Sequence, residues 1–174
     1  MADPTLAPRP PRIAVCAPGE ATADETEAAE AVGQLLAERG CVLVCGGLGG
    51  AMAAACRGAK GAGGHTIGIL PGYDERAANP WVDDVICTGL GQARNAVVAA
   101  TGQALIAVSG GFGTLSEIAL GLRLGRPVVL LGGWAATLDS AEGRAALDAH
   151  GRSPLIAQTA TDAVDQALAA LARS

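Results

Sequence analysis

The chain has 174 residues, half of them apolar but much of that alanine, with 25 glycines and only 2% aromatic residues. That length suits one domain with a sizeable core. The net charge of −5 argues against general affinity for nucleic acid, and no apolar run approaches the ~20 residues that cross a membrane.

Met1 to Pro11 is proline-rich and lacks an apolar signal core, so residues 1–11 are expected to form a disordered leader and a cytoplasmic location follows as the default. From residue 12 onward the chain alternates short apolar runs with helical patterns, and one domain is expected over residues 12–174. The first strand runs from Arg12 to Ala17, with Pro18-Gly19-Glu20 as its turn. Thr22-x-x-Glu25 has the spacing of a capping box and opens a helix to about Arg39, stopped by Gly40. Cys41 to Cys45 is the second strand. Gly46-Gly47-Leu48-Gly49-Gly50 follows, and then a small-residue helix from Ala51 to about Ala62. The third strand is His65 to Leu70. The long loop from Pro71 to Trp81 is of a length that often carries function, and base-contacting side chains are expected from Tyr73 to Trp81. A short fourth strand, Asp84 to Cys87, leads through Gly89 to Gly91 into a helix bearing Arg94 and Asn95.

The most informative stretch comes next. The fifth strand, Gln103 to Val108, enters Ser109-Gly110-Gly111-Phe112-Gly113-Thr114, and a helical apolar pattern then runs to Gly125. Glycines let backbone N–H groups approach a bound group, and a helix N-terminus adds partial positive charge. Together they suit an anion, most often a phosphate. Two strand–glycine–helix units in one pattern point to a nucleotide held near strand ends; the plain alternative is a pair of tight turns. Pro127 to Leu131 is the sixth strand, residues 134–150 have a looser helical pattern, and a short strand near Leu155 to Gln158 precedes a helix from about Thr161 to Leu171. Strands apolar throughout and separated by helices imply an α/β, doubly wound, Rossmann-like parallel sheet of six to seven strands with helices on both faces.

Several chemistries are set aside. There is no G-K-[ST] of a Walker loop and no G-x-S-x-G nucleophile elbow. Neither glycine loop has the full dinucleotide fingerprint. Lys60 is the only lysine and sits late in a helix, a poor place for a Schiff base. The five cysteines, Cys16, Cys41, Cys45, Cys56 and Cys87, form no C-x-x-C pair, and His65 and His150 lie far from any cysteine pair. Buried free thiols are therefore expected, with no metal site and no cofactor.

Two charged residues at strand ends remain as catalytic candidates. Arg94 can clamp a phosphate or carboxylate. Glu117 beside a nucleotide can protonate a leaving base or stabilise charge on the sugar. The spacing Thr114-x-x-Glu117 also fits a capping box, which would leave Glu117 a purely structural role.

The segments S-G-G-F-G-T-L-S-E, G-G-L-G-G-A-M and G-L-G-Q-A-R-N together resemble the Lonely Guy (LOG)-like, or SLOG, superfamily of Rossmann-like proteins, and within it most the molybdenum cofactor carrier branch. The likeness covers nearly all of residues 12–171. In LOG enzymes an arginine and the glutamate of P-G-G-x-G-T-x-x-E serve cleavage of the base–ribose bond of nucleoside 5′-monophosphates. The resemblance carries those roles to Arg94 and Glu117, and phosphate binding to Gly110, Gly111, Gly113 and Thr114. The earlier glycines Gly46, Gly47, Gly49 and Gly50 are expected to help hold the nucleotide. Two departures lean toward the carrier branch: Ser109 stands where LOG enzymes have proline, and Asn95 where they usually have lysine. The expectation is a phosphoribohydrolase acting on nucleoside monophosphates. The alternative is a non-catalytic carrier of molybdenum cofactor or a related phosphorylated ligand, and a nucleotide-sensing domain is a third option. The expected partners are that small ligand and, in a homodimer or higher oligomer, further copies of the chain packed through the helices of Arg94 and Leu115 to Leu124.

Overall fold

The computed structural model describes residues 9–148 and 151–173. The leader expected over residues 1–11 therefore lies outside the described residues but for its last three. Seven strands, β1 (Arg12–Cys16), β2 (Val42–Cys45), β3 (His65–Leu70), β4 (Asp84–Cys87), β5 (Ala104–Val108), β6 (Val128–Leu131) and β7 (Leu155–Ala157), form one sheet in the order β4-β3-β2-β1-β5-β6-β7. Every pairing is parallel. The α/β, doubly wound architecture read from the sequence is the one present.

Seven α-helices are described: α1 (Ala23–Glu38), α2 (Ala51–Gly61), α3 (Asn95–Thr101), α4 (Phe112–Arg123), α5 (Trp134–Leu138), α6 (Ala141–Asp148) and α7 (Ala160–Leu171). α1, α2 and α7 cover one face of the sheet. α3, α4 and α5 cover the other. β5 is buried at all five positions, as a central parallel strand covered on both sides must be. The buried core contains no aromatic residue among the described residues; it is built of aliphatics, alanines and thiols. Small residues permit close approach instead. A Cβ on Gly33 of α1 would run into the Ala55 carbonyl of α2, and one on Gly58 into the Glu30 carbonyl.

The helix ends show where sequence reasoning held and where it failed. Thr22 caps α1 in a reciprocal capping box: its hydroxyl accepts from the Glu25 amide, and the Glu25 carboxylate accepts from the Thr22 amide at 2.9 Å. The second expected box, Thr114-x-x-Glu117, does not form. α4 starts two residues earlier than expected, with Gly111 as its N-cap, so Thr114 is already inside the first turn and Glu117 lies in the second. The cause is local, because Gly110 and Gly111 release the chain into the helix without a side-chain cap. The helix expected to carry both Arg94 and Asn95 is also split. Gly91–Arg94 is a 3-10 turn and α3 begins at Asn95.

Candidate functional site

The strand order reverses at β1, which pairs with β2 on one side and β5 on the other. Helices leave neighbouring strands there toward opposite faces, opening a crevice at the carboxyl ends where doubly wound proteins bind ligands. Here the crevice is a cavity of about 390 Å³. Its walls are the Pro18–Glu20 turn after β1, Leu48 and Met52 from the β2–α2 unit, Gln92, Arg94 and Asn95 after β4, and Gly111, Gly113, Thr114 and Glu117 from the β5–α4 unit.

The two catalytic candidates meet at its base. Arg94 Nη1 donates to Glu117 Oε1 at 3.4 Å, and their side chains are 8% and 7% exposed. That is a single, long contact, whereas a bidentate arginine–carboxylate pair closes to about 2.7–2.9 Å. Arg94 Nε is buried without a partner. A buried donor of a charged group left unmade is costly, so this guanidinium is underused by the protein and has donors to offer. Burial pushes the Glu117 carboxyl up to about 7, against the opposing Arg94 charge and the neighbouring Cys16 thiol. Cys16, at the end of β1, is itself pushed well above its ordinary value by burial and then by Glu117. A carboxyl that titrates near neutrality beside an arginine can hold or release a proton under ordinary conditions.

The loop after β5 forms a second wall of the cavity. The amides of the first helical turn, Phe112 to Thr114, have no acceptor within α4. A Cβ on Gly111 would meet nothing within 4 Å, so its absence leaves the backbone open from the cavity side. Gly110, at φ 102, serves the loop itself, since a Cβ there would press on Thr114, within 2.9 Å of its Cγ2. Asn95 ties the loop from across the cavity, its amide donating to Gly113 O at 3.3 Å and to Ser116 Oγ at 2.8 Å. Ser109 has φ 54, the only positive value of a non-glycine residue among the described residues. A proline, with φ fixed near −65°, cannot adopt that conformation, so the serine here comes with a different backbone. Its hydroxyl donates to Glu25, and that bond and the Thr22 amide hold the Glu25 carboxyl below its usual range.

The earlier glycine loop serves the protein more than the cavity. A Cβ on Gly46 would lie 2.7 Å from Arg94 Cζ, so that glycine makes room for the flat guanidinium. Gly47 abuts Gly68 and Leu70, and Gly50, at φ 63, abuts the Pro18–Gly19 backbone. Of the four glycines expected to hold the nucleotide, Gly49 alone has open space beside its Cα; Leu48 is the residue of this loop that lines the cavity.

The loop before β4 also differs from expectation. Residues 73–81 are read from the sequence as base contacts, yet none lines the cavity. Asn79 instead donates through its backbone to Gly47 O at 2.8 Å and through its side chain to Leu48 O at 3.0 Å, bracing the earlier glycine loop. Leu48, Met52, Gln92 and the Pro18–Glu20 turn were missed as site residues. Their signal is position, each lying just beyond a strand on the Arg94 side of the cavity or at the reversal point. Four of the five cysteines are buried free thiols as read from the sequence, and Cys87 is exposed. No group of three or more His, Cys, Asp or Glu is placed to hold a metal among the described residues.

Residues 10–163 match the model of the SLOG cluster4 family. The chain belongs to that family. It is 43% identical over 120 residues to an uncharacterized protein of Archaeoglobus fulgidus, covering 69% of this chain and 79% of that one. A molybdenum cofactor binding protein from the phototrophic bacterium Rippkaea orientalis is similar in structure, with a TM-score of 0.84 and 37% identity over 95% of this chain and 99% of that one. The molybdenum cofactor carrier protein of Chlamydomonas reinhardtii gives 0.83 and 37% over 95% and 100%. A rice protein named as a probable cytokinin riboside 5′-monophosphate phosphoribohydrolase is 37% identical over 94 residues, 52% of this chain and 38% of that one. This SLOG protein thus stands near the carrier branch, as its sequence motifs implied. No helix among the described residues is long and apolar enough to cross a membrane.

Proposed function

We propose that this SLOG protein binds and carries a small phosphorylated ligand that also bears a ring system, of the molybdenum cofactor type. The observation that carries the reading is the cavity at the strand reversal, lined by both Arg94, whose guanidinium is only partly paired, and the open backbone at Gly111. The phosphate lies on the amides of residues 110–114. The ring lies toward Leu48, Met52 and Gln92, which supply apolar contact and one amide edge. Support for carrying over chemistry comes from similarity to carrier proteins along almost the whole chain, against a hydrolase likeness over about half of it. A cytoplasmic location and a homo-oligomer built partly on α3 and α4 belong to the same proposal.

A second reading, N-glycosidic hydrolysis of a nucleoside 5′-monophosphate, is favoured by one feature: Glu117 is held near pKa 7 beside Arg94. In that reading Glu117 protonates the departing base or stabilises the sugar cation. One experiment separates the two. Nucleoside monophosphates and a phosphorylated pterin are titrated calorimetrically, and the same mixtures are analysed for free base by chromatography. Binding without release supports the carrier; release that is lost in Glu117→Gln supports the hydrolase. No binding of any phosphorylated ligand removes both.

A further inference from the structure

Beyond the loop of residues 109–114, at the carboxyl ends of β6 and β7, lies another cavity of about 360 Å³, lined by Gly132, Gly133, Ala136, Ser140, Ile156 and Gln158. A wall made where the turns after β5 and β6 touch separates the two cavities, and no residue lines both. A Cβ on Gly133 would lie 2.7 Å from the Ser109 carbonyl carbon, and the Trp134 indole N–H donates to Gly111 O at 3.2 Å. Across that wall the backbone carries no side chains at Gly110, Gly111, Gly132 and Gly133. A Cβ on Gly111 or on Gly132 would meet nothing within 4 Å.

An aromatic pair stands beside this bare backbone. Phe112 and Trp134 have ring centroids 6.3 Å apart at 45°. The chain has just four aromatic residues, Phe112, Trp134, Trp81 and Tyr73, and Phe112 is left 83% exposed on the anion loop itself. An exposed ring next to a phosphate site offers a stacking face to a ligand's ring or sugar. A phosphomonoester ends at the loop and leaves both this face and the second cavity unused. A ligand whose phosphate lies mid-molecule reaches both. Each cavity is of the size that encloses a small ligand portion.

We infer that the ligand is two-ended: a diphosphate, with its phosphates on residues 110–114, its ring system in the cavity of Arg94 and a nucleoside as its second end over Gly132–Gly133 against Phe112 and Trp134. This rests on the phosphate-loop reading above and extends it to the ligand's second half. Gln158 supplies an amide group suited to a ribose or a base edge.

The test compares adenosine monophosphate with diadenosine diphosphate by calorimetry, on wild type and on the Gln158→Ala variant, with folding checked by circular dichroism. Wild type binds the dinucleotide at least tenfold more tightly than the monophosphate. The variant loses most of that advantage and keeps its monophosphate affinity within twofold. Equal affinity of wild type for the two ligands overturns the inference while leaving the phosphate site intact, as does a variant effect of the same size on both. Binding of neither ligand removes the phosphate-loop reading, and this inference with it.

Discussion

The two glycine-rich loops look alike in sequence and do different work. Residues 46–50 and 109–114 each follow a buried strand and precede a helix. In the later loop, Gly111 and Gly113 face the cavity, with no atom closer than 4.0 Å to a Cβ placed there. In the earlier loop, Gly46, Gly47 and Gly50 are occupied by the protein itself: the Arg94 guanidinium, the β3 backbone and the Pro18–Gly19 turn. A glycine can be demanded by a ligand or by a neighbouring chain segment, and the pattern alone does not distinguish them. One loop builds the support for Arg94, the other borders the open cavity. That division is open to direct attack by mutation.

The largest effect is expected at Gly50. Alanine there combines a left-handed backbone, φ 63, with a clash against Gly19. Such strain costs about 1–3 kcal/mol and overpacking about as much again, so chemical denaturation should show a loss of roughly 2–5 kcal/mol. A loss below about 1 kcal/mol would mean that this loop is as loosely held as the other.

Glu117 gives the next effect, through pH. Its folded pKa near 7 lies above the ordinary 4.5, so between those values the native state holds a proton that the unfolded state has released. The Glu117 contribution to stability is complete below about pH 4.5 and is lost as pH rises through 7, a fall of up to about 3 kcal/mol. Wild-type stability should therefore decline from pH 5 to pH 8 more steeply than that of Glu117→Gln. Parallel curves would show that the carboxyl is not desolvated as the structure has it.

Ser109, where the anion loop joins α1, gives the smallest effect. Ser109→Ala loses the bond to Glu25 and keeps the unfavourable φ, at a cost of about 1 kcal/mol. Ser109→Gly loses the same bond but relieves the backbone, and should end near wild type. A glycine variant no more stable than the alanine one would show that the positive φ carries no strain at this position.

These contrasts also mark what the sequence makes legible. The sheet was readable because buried parallel strands leave continuous apolar runs such as Ala104 to Val108, and glycines at positive φ, including Gly40 and Gly125, end the helices. The glycine-rich junction from β5 to α4 was readable because its glycines precede a helix pattern. The partnership of Arg94 with Glu117 was not readable from spacing: it crosses 23 positions and exists because their elements follow β4 and β5 and pack on the same face, which the sheet order decides. The false capping box had a local origin. Thr114 and Glu117 have the right spacing, but Gly110 and Gly111 start the helix before them. The Tyr73–Trp81 loop was read from its length; none of its residues lines the cavity, and Asn79 uses that loop to brace a neighbour.

The central claim is that the later loop, and not the earlier one, is open to an anionic ligand. Gly111→Val tests it most directly, since Gly111 has an ordinary φ of −95 and open space where the side chain would go. Calorimetric titration of a nucleoside 5′-monophosphate into wild type and this variant, with melting curves alongside, is the measurement. The account predicts stability within about 1 kcal/mol of wild type, the scale of losing glycine at a helix N-cap, and affinity weakened at least tenfold. Unchanged affinity in a folded Gly111→Val protein would contradict it.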